Sequence, residues 1–216
     1  MRLPYYQYFQ VIALLSCLIF YKDVRKQGIG AFLPLCILVC AVEIISANVK
    51  IWGISQSDHF LKNIYVMGST PLYFYIFYRV LPLSVKIKKV YIMIASIVIA
   101  CSIINYLFIQ GPTNINILTL IFQQLVTILL SCTLLYFLSV EERYFVLWKE
   151  PSFWVAAGLL IFSLGTLVVL GLYQYIRMNQ LTIQNRNLYS VLMPFLNIIL
   201  YSSYTYAFYL CWQKKS

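Results

Sequence analysis

Residues 90–110 read VYIMIASIVIACSIINYLFIQ, with no charged side chain and with a run from Ile92 to Ile104 in which apolar and polar residues do not alternate. A membrane β-strand shows about ten residues of strict alternation, so this stretch is not one. A helix crossing the hydrocarbon layer needs about 20 predominantly apolar residues to span ~30 Å, and this stretch supplies them. Similar blocks lie on both sides of it. Helices are expected at residues 5–21, 31–49, 63–81, 90–110, 116–140, 153–176 and 188–212, which makes the chain an all-α integral membrane protein, a seven-transmembrane-helix bundle forming a single transmembrane domain over residues 1–216.

Composition supports the same reading. Of 216 residues, 62% are hydrophobic and 10% charged, whereas soluble domains carry roughly a quarter charged residues. The lipid bilayer is therefore the expected solvent and partner. Every connector is short, so catalytic or signalling machinery on the cytoplasmic side is expected on a separate chain. A single Arg and then an apolar stretch, without a small-x-small cleavage site before Lys22, predict a first helix that is retained.

The formal net charge of +10 has the sign found in nucleic-acid binders. Here, however, Lys and Arg sit in short connectors, the pattern that membrane insertion sets, and no nucleic-acid partner is expected. Arg2, Lys50, Lys62, Arg177 and Arg186 share the side of the N-terminus. The other side has Lys22, Arg25, Lys26, Arg79, Lys86, Lys88, Lys89, Arg143, Lys149, Lys214 and Lys215. Eleven against five places the C-terminus in the cytoplasm and the N-terminus outside, in a multi-pass protein of the cell (inner) membrane. The six cysteines, Cys17, Cys36, Cys40, Cys101, Cys132 and Cys211, all lie in apolar segments and read as reduced packing residues rather than a disulfide framework.

Two short echoes suggest an internal repeat. Leu14-Leu15-Ser16-Cys17 recurs as Leu129-Leu130-Ser131-Cys132, and Asn63-Ile64-Tyr65 recurs as Asn187-Leu188-Tyr189, with Pro71 and Pro194 following at comparable depth. They fit a 3+1+3 pseudo-repeat, two parallel three-helix units joined by the fourth helix.

Polar residues within spans are the candidate sites. Glu43 is the one acid well inside a predicted helix, and an intramembrane carboxylate is costly enough to mark function unless it is protonated or lies near the interface. Cys36, Cys40 and Glu43 share a helix face, but the single His, His59, falls in a predicted loop, so neither a metal site nor a cofactor is expected. The fifth helix carries Thr119, Gln123, Thr127 and Ser131 at i, i+4 spacing; the seventh carries Ser190, Asn197, Tyr201 and Tyr204 around Pro194; the third adds Tyr65, Ser69 and Tyr73. These rows serve either as interhelical hydrogen bonds, worth roughly 0.6–2 kcal/mol each, or as a pocket for a small molecule with Glu43, Gln123, Thr127, Asn197 and Tyr201 as its ligand-binding residues. Gly158, Gly165 and Gly171 on the sixth helix read as points of close backbone approach.

No catalytic residues are expected. A membrane serine protease lacks a base within a span, intramembrane aspartyl catalysis lacks its two Asp because Asp23 and Asp58 fall in connectors, and a retinal pump lacks a Lys in the middle of the seventh helix. Glu141-Glu142-Arg143 resembles the paired glutamates of membrane prenyl-type proteases only in those residues and reads as a charged helix end.

Phe153-Trp154, Leu164-Gly165-Thr166-Leu167 and Leu196-Asn197-Ile198-Ile199-Leu200-Tyr201 resemble small bacterial seven-helix inner-membrane proteins, similar to the membrane modules beside or fused to sensor histidine kinases. The resemblance covers the last third of the chain. It implies a sensor or receptor-like subunit that passes a helix shift to a cytoplasmic signalling protein through Lys86, Lys88, Lys89 and Arg143. Two other functions stay open. A small-solute carrier shares the 3+1+3 topology of SWEET-type sugar transporters, although the chain lacks their paired prolines and Pro-Gln element. An accessory or scaffold role in a membrane complex predicts tightly packed polar rows and no cavity.

Overall fold

The computed structural model describes residues 4–48, 59–109, 111, 116–140, 146–172, 182–183 and 186–214. Its helices are α1 (Tyr5–Ile19), α2 (Tyr21–Lys26), α3 (Phe32–Asn48), α4 (His59–Val80), α5 (Val85–Ile104), α6 (Ile117–Val140), α7 (Pro151–Gly171) and α8 (Leu188–Gln213). A π-turn, Asn105–Ile109, extends α5, and a 3₁₀ turn, Leu147–Lys149, precedes α7. Thr182–Ile183 (β1) pairs antiparallel with Arg186–Asn187 (β2) in a segment for which the sequence predicts only a connector.

Four spans among the described residues are long and apolar enough to cross a bilayer: Val85–Ile109, Ile117–Val140, Pro151–Gly171 and Ser190–Gln213. Tyr5–Ile19 and Phe32–Asn48 are shorter apolar helices. At 22 residues α4 rises about 33 Å, and it falls short in apolarity rather than length, with Lys62 and Asn63 in its first turns, Gly68-Ser69-Thr70-Pro71 at its middle and Arg79 at its end. This is the architecture of a helical membrane protein.

Helix boundaries depart from the sequence reading where local chemistry competes with charge. The first helix is divided at Phe20, after which α2 ends in a left-handed glycine, Gly28 (φ 81°), with Gly28 N–H on Arg25 O and Ile29 N–H on Val24 O. That pair of bonds satisfies the last carbonyls of α2 and reverses the chain into α3. His59 opens α4 instead of lying in a loop. Lys86, Lys88 and Lys89 likewise belong to the first turns of α5, which starts after Ser84, rather than to the preceding connector. A long Lys stem can lie along apolar surface with its ammonium in water, so charge does not end a helix at the interface.

The long helices alternate in direction. Tyr6 and Gln7 of α1 meet Glu43 near the end of α3. Asn63 and Ser69 of α4 meet Asn116 and Gln123 in the same order, so α4 runs parallel to α6. A Cβ at Gly158 would meet Ser203 and one at Gly165 would meet Leu196, so α7 runs antiparallel to α8. The principal packing partners form a closed ring in chain order, α1, α3, α4, α6, α7, α8 and back to α1, with α5 outside it against α4.

The interior of that ring is apolar and aromatic. Phe32 of α3 reaches across to Tyr204 and Phe208 of α8, with ring centroids at 4.7 and 5.7 Å, and Phe77, Leu134, Leu159 and Leu200 fill the space around them. On α5 and its π-turn Ala95, Val98, Ser102 and Asn105 are buried at helical spacing, and Tyr91 reaches α4, donating to Phe74 O at 2.8 Å. With 17% of its apolar window buried, α5 leaves most of its apolar surface exposed among the described residues.

The echoed tetrapeptides are out of phase in the fold. Cys17 is buried in α1 whereas its counterpart Cys132 is exposed on α6, where Ser131 points inward instead. The side chain of Asn187, counterpart of the buried Asn63, lies outside the described residues.

Candidate functional site

A cleft of about 470 Å³ opens at the end of the bundle where α1 begins. Four elements converge there for separate reasons. On α1, Tyr5 and Tyr6 follow Pro4 in the first turn; on α3, Glu43, Ser46 and Ala47 share a face at i, i+3, i+4 spacing. From α4 comes Lys62, in the first turn, and from α8 come Ser190, Met193, Pro194 and Asn197, which share a face at i, i+3, i+4, i+7.

The carboxylate is held by α1. Tyr6 Oη donates to Glu43 Oε2 at 3.0 Å, and Gln7 Nε2 donates to the Glu43 backbone carbonyl at 3.1 Å. One helix therefore fixes both the side chain and the main chain of the acid. On the facing wall, Asn197 Nδ2 donates to Met193 O at 2.9 Å, which fixes the amide plane and leaves Oδ1 able to accept. Pro194 has no N–H to give the carbonyl of Ser190, so the helical ladder of α8 is interrupted at the cleft wall.

Beneath the cleft lies a cluster of phenols. Tyr201 sits one turn below Asn197 and is buried, with its ring 5.8 Å from that of Tyr204. Tyr65, Tyr73 and Tyr201 lie within electrostatic reach of one another, and Tyr65 and Tyr201 also of Glu43. Tyr204 is buried as well, and its phenol lies against that of Tyr73. Below this layer the packed rings of Phe32, Phe77 and Phe208 close the ring.

Compared with protein-family models, curated proteins and solved structures, the chain matches none. The site therefore stands on its own geometry. Of the five candidate ligand residues, the structure brings Glu43 and Asn197 to one cleft and puts Tyr201 under it. Gln123 and Thr127 are elsewhere. Gln123 Nε2 donates to Ser69 Oγ at 3.0 Å, joining α6 to α4, and Thr127 Oγ1 bonds its own helix at Gln123 O, 2.8 Å. The space between them and Thr70 and Tyr73 is about 10 Å³, close to the volume of a single water. At Gln123 the row packs α6 against α4, and with Thr127 it lines that small space rather than the cleft around Glu43.

A second polar cluster joins α4, α5 and α6 at the same end. Asn116, at the start of α6, gives its N–H to Asn63 Oδ1 at 2.9 Å, while its Oδ1 accepts from Asn105 Nδ2 and from Thr119 Oγ1. Asn105 stands at the first position of the π-turn, a wider turn often found where a side chain must be re-aimed.

The basic residues cluster at the opposite end. Lys22, Arg25 and Lys26 of α2, Arg79 of α4, and Lys86 and Lys89 of α5 are exposed. Lys88 is held 5.3 Å over the ring of Tyr78, a cation–π contact. Arg143 lies outside the described residues. Lys214 Nζ meets Glu150 Oε1 at 2.6 Å, joining the end of α8 to the start of α7. Among the described residues no three His, Cys, Asp or Glu side chains are grouped to hold a metal.

In the sequence Tyr6 reads as an interfacial belt residue near a helix end, and Gln7, Gln10 and Asn116 carry no assignment. Gln7, Gln10 and Cys17 are buried on one face of α1, and their i, i+3, i+10 spacing was a legible signal of an inward polar row. Nothing local in the sequence marks Asn116, whose role depends on where α4 begins and α5 ends.

Proposed function

We propose that this chain is a seven-helix membrane sensor subunit, with α1 and α2 as one span, its N-terminus outside and its C-terminus in the cytoplasm of the inner membrane. It takes a small molecule in the outward cleft and signals to a cytoplasmic protein at the basic face. The observation that carries this reading is the polarity of the bundle. A polar cleft around Glu43 opens at one end, the phenol and phenylalanine layers fill the ring below it, and exposed Lys and Arg crowd the other end. A receptor needs a site open to one side and a transmitting core.

The cleft touches α1, α3, α4 and α8, so a ligand that draws these helices together shifts their far ends, where α2 and the close of α4 meet at Gly28 and Arg79. The differential binding free energy of the ligand between two helix arrangements sets the size of that shift. The resemblance to kinase-associated membrane modules agrees with this direction of coupling. A carrier reading draws support from α5, which stands outside the ring between the triplets α1/α3/α4 and α6/α7/α8, but it requires a continuous path where Phe32, Tyr204 and Phe208 now pack.

The test is purification of the tagged chain from its native membrane, with mass spectrometry of co-purifying proteins and small molecules. A stoichiometric cytoplasmic kinase or similar protein, lost on Lys86→Glu with Lys89→Glu, supports the sensor. A bound solute that equilibrates across liposomes containing the purified chain sinks it in favour of a carrier.

A further inference from the structure

We infer that the cleft is built for a small zwitterion, a molecule carrying a cationic nitrogen and an anionic oxygen group, of the size of a free amino acid or a betaine. This rests on the reading of the cleft as a ligand site. Its walls are electrically opposed. Glu43 projects from the last turns of α3, the end at which a helix dipole is negative, whereas Lys62 projects from the first turn of α4 and Ser190 from the first turn of α8, the ends at which it is positive. A molecule with both charges aligns with that field. A plain cation meets Lys62 and the two helix starts, and a plain anion meets Glu43.

The remaining lining residues sort to the same two ends. Tyr5 and Tyr6 stand with their rings 6.3 Å apart and edge to face, Tyr6 bonded to the Glu43 carboxylate. Aromatic faces beside a carboxylate form a seat for an ammonium or quaternary ammonium group. Lys62 and the opening turn of α8 form the seat for a carboxylate or phosphate. At about 470 Å³ the cleft is within the range of small-molecule sites. A zwitterionic phospholipid headgroup has the same chemistry as a free amino acid, so the source must be separated by the assay.

The experiment uses the full chain in nanodiscs of phosphatidylglycerol alone, which supply no zwitterionic headgroup. Thermal unfolding is followed with free L-amino acids, each beside its amide, which keeps only the cation, and its N-acetyl form, which keeps only the anion, and with glycine betaine beside its amide and its carbon isostere 3,3-dimethylbutanoate, which separate the two charges in the same way. The expected result is that at least one zwitterion raises Tm and that its singly charged relatives bind about tenfold or more weakly. Glu43→Gln and Lys62→Met should each weaken the zwitterion by a similar factor, and Lys62→Met should narrow the gap to the cation while Glu43→Gln narrows the gap to the anion. Both variants must keep the wild-type elution profile; if Glu43→Gln does not, Tyr5→Ala replaces it and is expected to weaken the cationic end in the same way. A Tm rise seen only when phosphatidylethanolamine is added assigns the same chemistry to a lipid headgroup. Equal response to zwitterion, amide and N-acetyl compound, or response to none with and without that lipid, overturns the inference. A bound zwitterion without a signalling partner would leave this inference standing and sink the sensor reading; a partner without zwitterion binding would do the reverse.

Discussion

Placing one methyl group between α7 and α8 should separate a structural glycine from an incidental one. Gly158 and Gly165 are seven residues apart on α7 and face Ser203 and Leu196, also seven apart on α8, the spacing of a shallow helix crossing. A Cβ at Gly158 would lie 2.7 Å from Ser203 Cβ, close to the backbone of α8 and not on a flexible tip. Ordinary carbon contacts are about 3.5–4.0 Å, so the two helices must move apart by about 1 Å at their closest approach, or α8 must twist locally. Overpacking of this kind costs about 1–3 kcal/mol. At Gly171 a Cβ would meet nothing within 4 Å among the described residues, so Gly171→Ala should be neutral or stabilising by up to about 1 kcal/mol through helix propensity. Gly165→Ala falls between them, because its Cβ would press on the end of Leu196, which can rotate away. Reversible unfolding in mixed micelles, followed by circular dichroism against denaturing detergent, should rank the variants Gly171→Ala, Gly165→Ala, Gly158→Ala from most to least stable. Ser203→Gly should recover part of the Gly158→Ala loss, giving a coupling energy above about 0.5 kcal/mol. Equal stability of Gly158→Ala and Gly171→Ala, or strict additivity with Ser203→Gly, would refute this packing of α7 on α8.

Other perturbations follow from the hydrogen bonds. Gln123→Leu removes the bond to Ser69 between α6 and α4 and should cost about 0.6–1.7 kcal/mol in the same unfolding assay, the range measured for bonds between membrane helices. Thr127→Val, which breaks only a bond to its own helix, should cost less than half as much. Asn116→Ala removes the acceptor shared by the Asn105 amide and the Thr119 hydroxyl, which keep their bond to each other at 3.0 Å in a buried site, with an expected loss of about 1–3 kcal/mol and faster hydrogen exchange at the first turn of α6. Tyr6→Phe leaves packing intact but takes the donor from Glu43; ligand-induced stabilisation should fall several-fold while the unliganded Tm changes little. The partly exposed Lys214 and Glu150 pair should contribute below about 1 kcal/mol and lose that contribution in high salt, as measured by Lys214→Met.

Much of the helical plan was legible because apolar length is set by the bilayer and written locally. Residues 116–140 and 188–212 differ from α6 and α8 by one residue at one end. The boundaries that moved are those where Lys or His sits in a first turn, as at His59 and at Lys86 to Lys89, and where the first helix divides at Phe20 without a Gly or Pro to mark it. The site was legible in part. Glu43 stands out because an acid in a span is rare, and Asn197 because of its row on α8. Gln123 and Thr127 belong to an equally regular row, and only the ring order, which sets α6 against α4 and away from the cleft, separates packing residues from lining ones. Spacing along one helix tells which residues share a face; it carries no information on which neighbour that face meets.

Access to the cleft tests the central claim most directly. With the native cysteines replaced, Ser46→Cys and Ser190→Cys on the cleft walls and Lys86→Cys on the basic end are exposed to a membrane-impermeant maleimide in intact cells. The account predicts that positions 46 and 190 label from outside and are protected by bound ligand, while position 86 labels only after the membrane is opened. Labelling of position 86 in intact cells, or of positions 46 and 190 only from within, would contradict it.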